Sequence, residues 1–289
     1  MRYQEIIKTK QRAIRLLWTL SILILGLVLS GWLSPAGAQV LLCGDSDHPL
    51  SPDPDGIYRL RGHLTCSGNT ILEIKGDSAA NTEFDLRGFI ATGGSDNYGI
   101  RIRNEADNVT IVGGTFKKCE TALRVQANGC EIEHFKAINS SGRAIRIDGD
   151  GNSIVKSLCL IAGGECFELE GRGTTAESCT AIKSGEQGFN IKGPGDVYKC
   201  YGYGNGGEGI QISTSDVTIY RCIFVNNTKH GIEIEEGIRN FIKHNIVFSN
   251  GDGESTRDLT DRNDNCGGNE EANIWKRNKF RTSNIDCIE

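Results

Sequence analysis

The sequence predicts an all-β solenoid, built from short strands that stack on one another from repeat to repeat. The main observation is a four-residue pattern of a small, an apolar, a polar and an apolar residue, which occurs seven times. The first residues of consecutive copies lie 23, 22, 22, 22, 21 and 22 positions apart, and such regular spacing is typical of repeat architectures. The copies begin at Gly99, Ala122, Ala144, Cys166, Gly188, Gly209 and Gly231.

Each repeat divides into three short strands and three turns. Apolar and polar residues alternate within the four-residue pattern, so this opening strand has two side chains inside and one outside. A polar break, a second apolar stretch such as 217–219, and a third segment ending in a Gly- or Asn-rich turn follow. Because about 22 residues leave no room for a helix as well, leucine-rich and helical repeats are excluded. The pattern predicts a parallel β-helix of roughly nine coils, spaced about 4.8 Å apart.

The first 38 residues have the composition of a secretory signal peptide. Basic residues that include Lys8, Lys10, Arg12 and Arg15 precede an apolar run at 16–33, and Ala36-Gly37-Ala38 is a small-x-small cleavage site. The run of 18 residues is also long enough for an uncleaved membrane anchor. We expect a mature chain that begins near Gln39, does not span a membrane, and is secreted, extracellular or periplasmic. The predicted organisation is a signal peptide at 1–38, an N-terminal cap at 39–69, repeats at 70–250 and a C-terminal cap at 251–289.

Charge and composition narrow the choice of partners. The formal net charge is −5, and removal of the first 38 residues, with five basic side chains and one acidic, leaves −9. An acidic chain without basic runs argues against nucleic acid and anionic membranes as partners. The 37 glycines suit a chain of many turns, and we expect a single elongated domain that is monomeric.

The repeats, together with stretches at both ends of the chain, resemble a known class of proteins. The stretch from Leu64-Thr65-Cys66 through Phe84-Asp85-Leu86-Arg87-Gly88 to Gly94 is similar to the first coils of secreted bacterial β-helix repeat proteins. The C-terminal segments Asp258-Leu259-Thr260-Asp261, Asn273-Ile274-Trp275 and Asn278-Lys279-Phe280 are similar as well. The chain thereby resembles the right-handed parallel β-helix proteins of the pectin-lyase-like class. The resemblance implies a right-handed coil and polysaccharide as the partner, whereas many such proteins have no assigned reaction.

Eleven cysteines in an exported chain permit disulfides, and the odd number leaves at least one thiol unpaired within the chain. We expect Cys43–Cys66 to tie the N-terminal cap to the first coil and Cys266–Cys287 to close the C-terminal cap. The pairing of the seven central cysteines stays open. Cys179, Cys200 and Cys222 fall nine residues before a repeat start, as does His244 if the next repeat starts at Gly253. Since stacked neighbours lie in a line and zinc takes a tetrahedron, we expect a packed ladder and no metal site.

The outward positions of the opening strands form a file whose charge changes along the chain. It is basic at Arg101, Arg124 and Arg146 and then acidic at Glu168, with Asp148 in the adjacent outward file. Stacked arginines repel one another unless an anion or a carboxylate lies between them. Two interpretations follow: a solvated network of ion pairs worth little, or a groove whose arginines bind the carboxylates of an acidic glycan.

The residue before each opening strand gives the sharpest catalytic candidates. This file includes Arg143, Glu165, Glu208 and His230. Lys229-His230-Gly231 resembles the Gly-His-Gly of polygalacturonases, and Glu165-Cys166 resembles the second Asp of their Asp-Asp pair followed by Cys. Gly164 replaces the first Asp, and neither Asn-Thr-Asp before Gly188 nor a later Arg-Ile-Lys is present, so that machinery does not carry over as a set.

Three uses of this second file stay open. Glu165 and Glu208, two coils apart, are spaced for an inverting hydrolase. A uronate lyase or epimerase would instead use Arg143 to neutralise the carboxylate and His230 to remove the adjacent proton. The third alternative is that these are turn residues in water.

The acidic tail offers oxygen ligands for Ca²⁺, without the spacing of a defined calcium loop. These residues are Asp252, Glu254, Asp258, Asp261 and Asp264. We expect no other cofactor. The turns are short throughout, so the sequence contains no insertion long enough to form the wall of a cleft. This favours an exported protein that binds polysaccharide or is structural, with a glycan-acting enzyme as the alternative.

Overall fold

The computed structural model describes residues 39–43, 52–60, 62–66, 70–251, 255–262 and 271–284. Over this part of the chain the fold is the predicted right-handed parallel β-helix, an all-β solenoid of about nine coils of about 22 residues. Each coil contributes a strand to three sheets, which we name the opening, second and third sheets in chain order. The predicted signal peptide at 1–38 lies outside the described residues.

The opening sheet contains ten of the described strands. Gln39–Leu42 pairs antiparallel with the first of the stacked strands, and all other pairings in this sheet are parallel. The strands are Gln39–Leu42, Leu72–Lys75, Tyr98–Ile102, Thr121–Val125, Ile145–Ile147, Phe167–Leu169, Phe189–Ile191, Ile210–Ser213, Ile232–Glu236 and Leu259–Asp261.

The second and third sheets share two long strands, Glu83–Thr92 and Thr110–Lys117. Positive φ angles at Gly88 and Gly113 mark the bends between the sheets within these strands. The other second-sheet strands are Ile57–Arg59, Glu131–Glu133, Ser153–Val155, Thr174–Glu177, Gly195–Tyr198, Thr218–Tyr220, Phe241–Lys243 and Ile274–Lys276. The other third-sheet strands are His63–Thr65, Lys136–Ser140, Leu158–Ala162, Thr180–Ser184, Tyr201–Tyr203, Ile223–Val225 and Ile246–Phe248, and a short 3-10 helix spans Asp77–Ala79.

The core lies inside the coils, where inward side chains of consecutive coils stack. Residues that pair across coils are alike: Phe167 pairs with Phe189, and their rings stack with centroids 4.8 Å apart. Amide ladders fill the turn before the opening strand, where Asn205 Nδ2 donates to Asn227 Oδ1 at 2.8 Å and Asn227 Nδ2 donates to Asn250 Oδ1 at 2.8 Å. These buried amides satisfy backbone groups that the turns leave unpaired.

The coil stack extends past both predicted cap boundaries. Ile57–Arg59 already pairs in parallel with Glu83–Thr92, before the predicted start at residue 70. At the other end, Ile274–Lys276 pairs in parallel with Phe241–Lys243, and Trp275 is buried as a core residue of that strand. Among the described residues, no helix is long and apolar enough to cross a lipid bilayer.

The cysteines occupy three kinds of position. Cys43 and Cys66 form a disulfide, as predicted, and the proposed Cys266–Cys287 pair lies outside the described residues. A second disulfide, which the sequence did not identify, joins Cys159 of the third sheet to Cys166 just before the next opening strand. The free cysteines of the described part are Cys119, Cys130, Cys179, Cys200 and Cys222, all of them buried.

The prediction that His244 continues the ladder of Cys179, Cys200 and Cys222 was wrong. The Cys222 N–H donates to Asn245 Oδ1, which makes Asn245 the next member of that ladder. His244 lies one residue earlier, at a turn position with φ of 59°. The error comes from the last coil, where Ile232 pairs with Leu259, so the repeat start expected at Gly253 falls too early.

Candidate functional site

The two predicted files stand side by side on the opening sheet. Arg101 pairs with Arg124, Arg124 with Arg146, and Arg146 with Glu168, so the expected register of the outward file is correct. In the second file, the Ala144 and Cys166 N–H groups donate to the carbonyls of Glu165 and Gln187, one coil on.

Three of the four candidates in the second file are buried, whereas Arg143 is exposed. Glu165, Glu208 and His230 are 4 %, 1 % and 5 % exposed, so their interpretation as turn residues in water is wrong. Short turns bring the next coil over each of these side chains. An ionised carboxylate in such a position needs charged or hydrogen-bonding partners.

Three cations surround the fully buried Glu168. Its Oε2 lies 2.8 Å from Arg143 Nε and 3.5 Å from Arg146 Nη1, in ion pairs not aligned as hydrogen bonds. Lys192 Nζ donates to its other oxygen. Arg143 Nε also lies 3.1 Å from Oε2 of Glu165, whose Oε1 accepts a hydrogen bond from Asn190 Nδ2. The expected surface network is therefore built around buried carboxylates, which partly exposed cations surround.

The more C-terminal carboxylates have their own partners. Oε2 of Glu208 accepts a hydrogen bond from Gln187 Nε2 at 2.8 Å, and its Oε1 lies 3.3 Å from Lys229 Nζ. Glu233 is fully buried, and its Oε1 accepts a hydrogen bond from Arg262 Nε at 2.6 Å. Each carboxylate thus faces at least one cation.

Hydrogen bonds define the protonation of His230. Nδ1 accepts the Arg257 N–H at 3.0 Å and lies 2.8 Å from Thr260 Oγ1, while Nε2 lies 3.5 Å from Glu233 Oε1. Because Nδ1 accepts, the neutral ring carries its proton on Nε2. Burial lowers the pKa of His230 below its usual 6.5, although the carboxylates of Glu233 and Glu208 oppose that shift. Neither ring nitrogen is therefore free to remove a substrate proton in this arrangement.

The arginines of the outward file differ in whether a carboxylate neutralises them. Arg124 lies 2.9 Å from Asp148, and Arg146 lies close to Asp148 and 2.9 Å from Glu170. Arg101 is half-buried and forms no ion pair with any described carboxylate. Its Nε donates to Gln126 Oε1 at 3.0 Å.

The electrostatic environment of Arg101 is also unfavourable for its positive charge. Burial, with the positive charges of Arg103 and Arg124, lowers its pKa. Its guanidinium carbon lies 5.2 Å from the centre of the Tyr98 ring, and Arg124 Nη1 donates to the hydroxyl of that tyrosine at 3.5 Å. The first coils therefore present a cation that forms no ion pair with a described carboxylate, although Glu73 on the adjacent strand attracts it electrostatically.

Sequence reasoning missed several members of the site. Lys192 and Gln187 contact the predicted carboxylates of Glu168 and Glu208. Glu233 lies beside the predicted His230, and Arg262 pairs with Glu233. One signal was available, because the pairs Arg124–Asp148, Arg146–Glu170 and Lys192–Glu168 each lie 24 residues apart. A separation of one coil plus two residues marks the diagonal neighbour on the same face of a parallel sheet.

Among the described residues, no group of three or more His, Cys, Asp and Glu side chains is placed to hold a metal ion. Asp252, Glu254 and Asp264 of the candidate calcium set lie outside those residues. Asp258 accepts hydrogen bonds from Asn250 and from the Arg281 N–H, and Asp261 accepts one from Asn273. A calcium site in the tail stays a prediction.

Comparisons with known proteins agree with the fold. Residues 192–269 match the family model described as a right handed beta helix region. A search of curated proteins found no match. The structure is similar to the A-modules of two Azotobacter vinelandii mannuronan C-5 epimerases, AlgE4 (TM-score 0.59, 15 % identity) and AlgE6 (TM-score 0.55, 16 % identity). The alignments cover 69 % of this chain and 63 % and 64 % of those modules, respectively. At these identities the similarity concerns the fold.

Proposed function

We propose that this right-handed parallel β-helix protein of the pectin-lyase-like class is exported and binds an acidic polysaccharide along its opening sheet. Disulfides are typical of proteins outside the reducing cytosol, and both disulfides of the described part agree with export. The structural neighbours support the ligand class, since both are mannuronan C-5 epimerases.

One observation carries the proposal: Arg101 has no carboxylate partner among the described residues, although its neighbours in the file do. A guanidinium group presents paired N–H donors that match a carboxylate. A uronate carboxylate placed there would relieve the repulsion from Arg103 and Arg124. Tyr98 and Gln126 already hold the side chain, so binding loses less side-chain entropy.

Titration with polymannuronate and polygalacturonate in a calorimeter tests this function. We expect Arg101→Gln to weaken binding roughly tenfold or more, since a charge-assisted hydrogen bond is replaced by a neutral one. Arg87→Gln is the matched control, because Arg87 is exposed and paired with Asp85 away from the opening sheet. Absence of binding to either polymer, or equal losses in both variants, would contradict the proposal.

A second candidate function is chemical turnover of the bound glycan, by hydrolysis or by a uronate lyase or epimerase reaction. The supporting observation is the burial of Glu165, Glu168, Glu208 and Glu233 along one surface, since buried charges are costly and cluster at functional sites. Against it, each of these carboxylates already has cationic or amide partners, and both nitrogens of His230 are engaged.

Product formation separates the two functions. Reducing ends would report hydrolysis, ultraviolet absorbance of unsaturated uronates would report a lyase, and proton NMR of the polymer would report epimerisation. Products that vanish in both Glu208→Gln and His230→Ala, with each variant still folded, would establish the enzyme. Binding without any product would leave the binding function alone.

A further inference from the structure

A second concentration of positive charge lies away from the opening sheet, at the turn between the second and third sheets. Arg221, His244 and Arg277 occupy the same position in three consecutive coils, with φ angles of 57°, 59° and 56°. The preceding strand ends supply Lys243 and Lys276, which pair with each other across coils. We call these five residues the cationic strip.

The cationic strip contains no ion pair with any described carboxylate. The neighbouring cations differ in this respect. Lys199, one coil before Arg221, lies 2.6 Å from Glu177, and Arg239, on the preceding turn of the same coil as His244, lies 2.6 Å from Asp216. At coil spacings of about 4.8 Å, four permanent cations and the His244 imidazole fall within roughly 10 Å along the stack. Such a concentration on a chain of net charge −5 creates a local positive potential.

The strip is held in place by Tyr220. The guanidinium carbon of Arg221 lies 4.9 Å from the centre of this ring, and His244 meets the ring edge at 5.5 Å with an interplanar angle of 87°. Tyr198 contacts it edge-on at 6.3 Å. The ring therefore positions cations and offers little free face for stacking a nucleic-acid base.

The pKa of His244 agrees with an excess of positive charge in the cationic strip. Partial desolvation and the charges of Lys243, Arg277 and Arg221 lower the pKa of His244 from its usual 6.5. Glu177 and Asp196 lie on coils before Arg221. The strip at neutral pH thus consists of four permanent cations and one neutral imidazole that donates or accepts.

We propose that the cationic strip is a second ligand site, which binds the anionic groups of a strongly acidic polysaccharide, with sulfate esters as the best match. Unpaired guanidinium and ammonium groups suit an oxyanion that stays fully charged at every pH, and the arginines supply bidentate donors. The opening sheet differs, because carboxylates there already neutralise most cations. The net negative charge and the occupied ring of Tyr220 disfavour nucleic acid.

Binding of heparin, used as a sulfated probe, tests the second site on the full chain. We expect the double variant Arg221→Gln/Arg277→Gln to weaken binding at least ~10-fold and to reduce the slope of log K against log salt by about 2, since two ion contacts are lost. Arg239→Gln/Lys199→Gln is the matched control, with two equally exposed cations that already have carboxylate partners. The control is expected to leave affinity within about twofold.

Three results would overturn the proposal: no heparin binding by the unaltered chain at low salt, equal losses in both double variants, or tighter binding to phosphatidylglycerol vesicles or single-stranded DNA than to heparin. Polyuronate titrations of the same variants separate this site from the opening sheet. Unchanged polyuronate affinity together with lost heparin binding is the pattern expected for two independent sites.

Discussion

At the scale of single residues, the opening sheet is unusual for its buried charge. Glu168 and Glu233 are both fully buried, and each is neutralised by cations from other coils. The side-chain types were evident from the sequence, and so was their register. Their burial was not, because an outward position on a lone strand looks solvated until the diagonal neighbours one coil away are placed over it.

The first prediction concerns Glu168→Gln. Removing this charge leaves Arg143, Arg146 and Lys192 converging on a neutral amide, and because these cations are partly exposed to water we expect a loss of about 1–3 kcal/mol. The free energy of unfolding from urea denaturation measures the loss. Glu177→Gln is the control, since this half-exposed carboxylate pairs only with Lys199 and such surface pairs contribute about 0–1 kcal/mol. Similar values for both variants would contradict the buried position of this carboxylate.

The second prediction concerns acid stability through His230. Its pKa in the folded state lies below the usual 6.5, so the folded chain binds fewer protons than the unfolded chain. The contribution of His230 to stability is therefore complete above about pH 6.5 and is lost as the pH falls through the lowered pKa. Protonation at Nδ1 would also replace the acceptor of the Arg257 N–H with a donor.

His230→Asn, which keeps an acceptor near that N–H, isolates this effect. Melting temperatures between pH 7.5 and 5 should fall less steeply for His230→Asn than for the unaltered chain, with His134→Asn at an exposed turn as the control. Parallel pH curves for all three proteins would show that His230 titrates normally.

At the scale of elements, each coil depends on small residues before its opening strand. Ala122 and Ala144 occupy this position early in the stack, and glycines occupy it at Gly188, Gly209 and Gly231. A Cβ at Gly209 would lie 2.6 Å from the Gly231 carbonyl oxygen and 2.8 Å from Asn227 Nδ2. In the later coils the buried asparagine ladder therefore favours glycine at this position.

The third prediction is that Gly209→Ala destabilises the protein by about 1–3 kcal/mol through overpacking against the next coil. Ala144→Gly, at the same position three coils earlier, is the control and should cost only about 0.5–1 kcal/mol of backbone entropy. Urea unfolding of both variants compares the two effects. A Gly209→Ala protein as stable as the unaltered chain would show that the coils are less closely packed there.

The disulfide Cys159–Cys166 crosslinks a third-sheet strand to the residue before the next opening strand. The preceding coil has Ala137 paired with Cys159, and Ala144 at the position of Cys166. The crosslinked loop contains Glu165 and ends one residue before the strand that carries Glu168. It therefore holds the turn on which both carboxylates depend.

The fourth prediction uses the double variant Cys159→Ala/Cys166→Ala, which reproduces the preceding coil. Loss of a crosslink across seven residues should lower stability by about 2–3 kcal/mol, by the loop-closure argument. Thermal unfolding measures it, and mass spectrometry of the unaltered chain counts its free thiols. A full set of reduced thiols at 159 and 166 in purified protein, or an unchanged melting temperature, would contradict this role.

At the scale of the whole molecule, the fold was predictable because two periods agree. The spacing of about 22 sets the coil and the alternation within each copy sets the strand, so the register of Arg101, Arg124 and Arg146 followed directly. The prediction of equivalent positions failed where the number of residues per coil changes. The long last coil displaced His244 from its expected ladder, and the coil boundaries moved outward at both ends.

The molecule as a whole presents two differently charged surfaces. The opening sheet combines cations with buried carboxylates, and the turn between the second and third sheets carries the unpaired cationic strip. The sequence revealed the first of these surfaces, the opening sheet, because the charged residues there fall at regular strand positions. It hid the second because Arg221, His244 and Arg277 occupy turn positions whose equivalence depends on coil lengths.

The most direct test of the central claim is a crystal structure of the chain with a bound uronate oligosaccharide. The account predicts the oligosaccharide on the opening sheet, with a carboxylate within hydrogen-bonding distance of Arg101 and close to Tyr98 and Gln126. Clear density for the sugar on another face, with Arg101 uncontacted at a saturating concentration, would contradict the account.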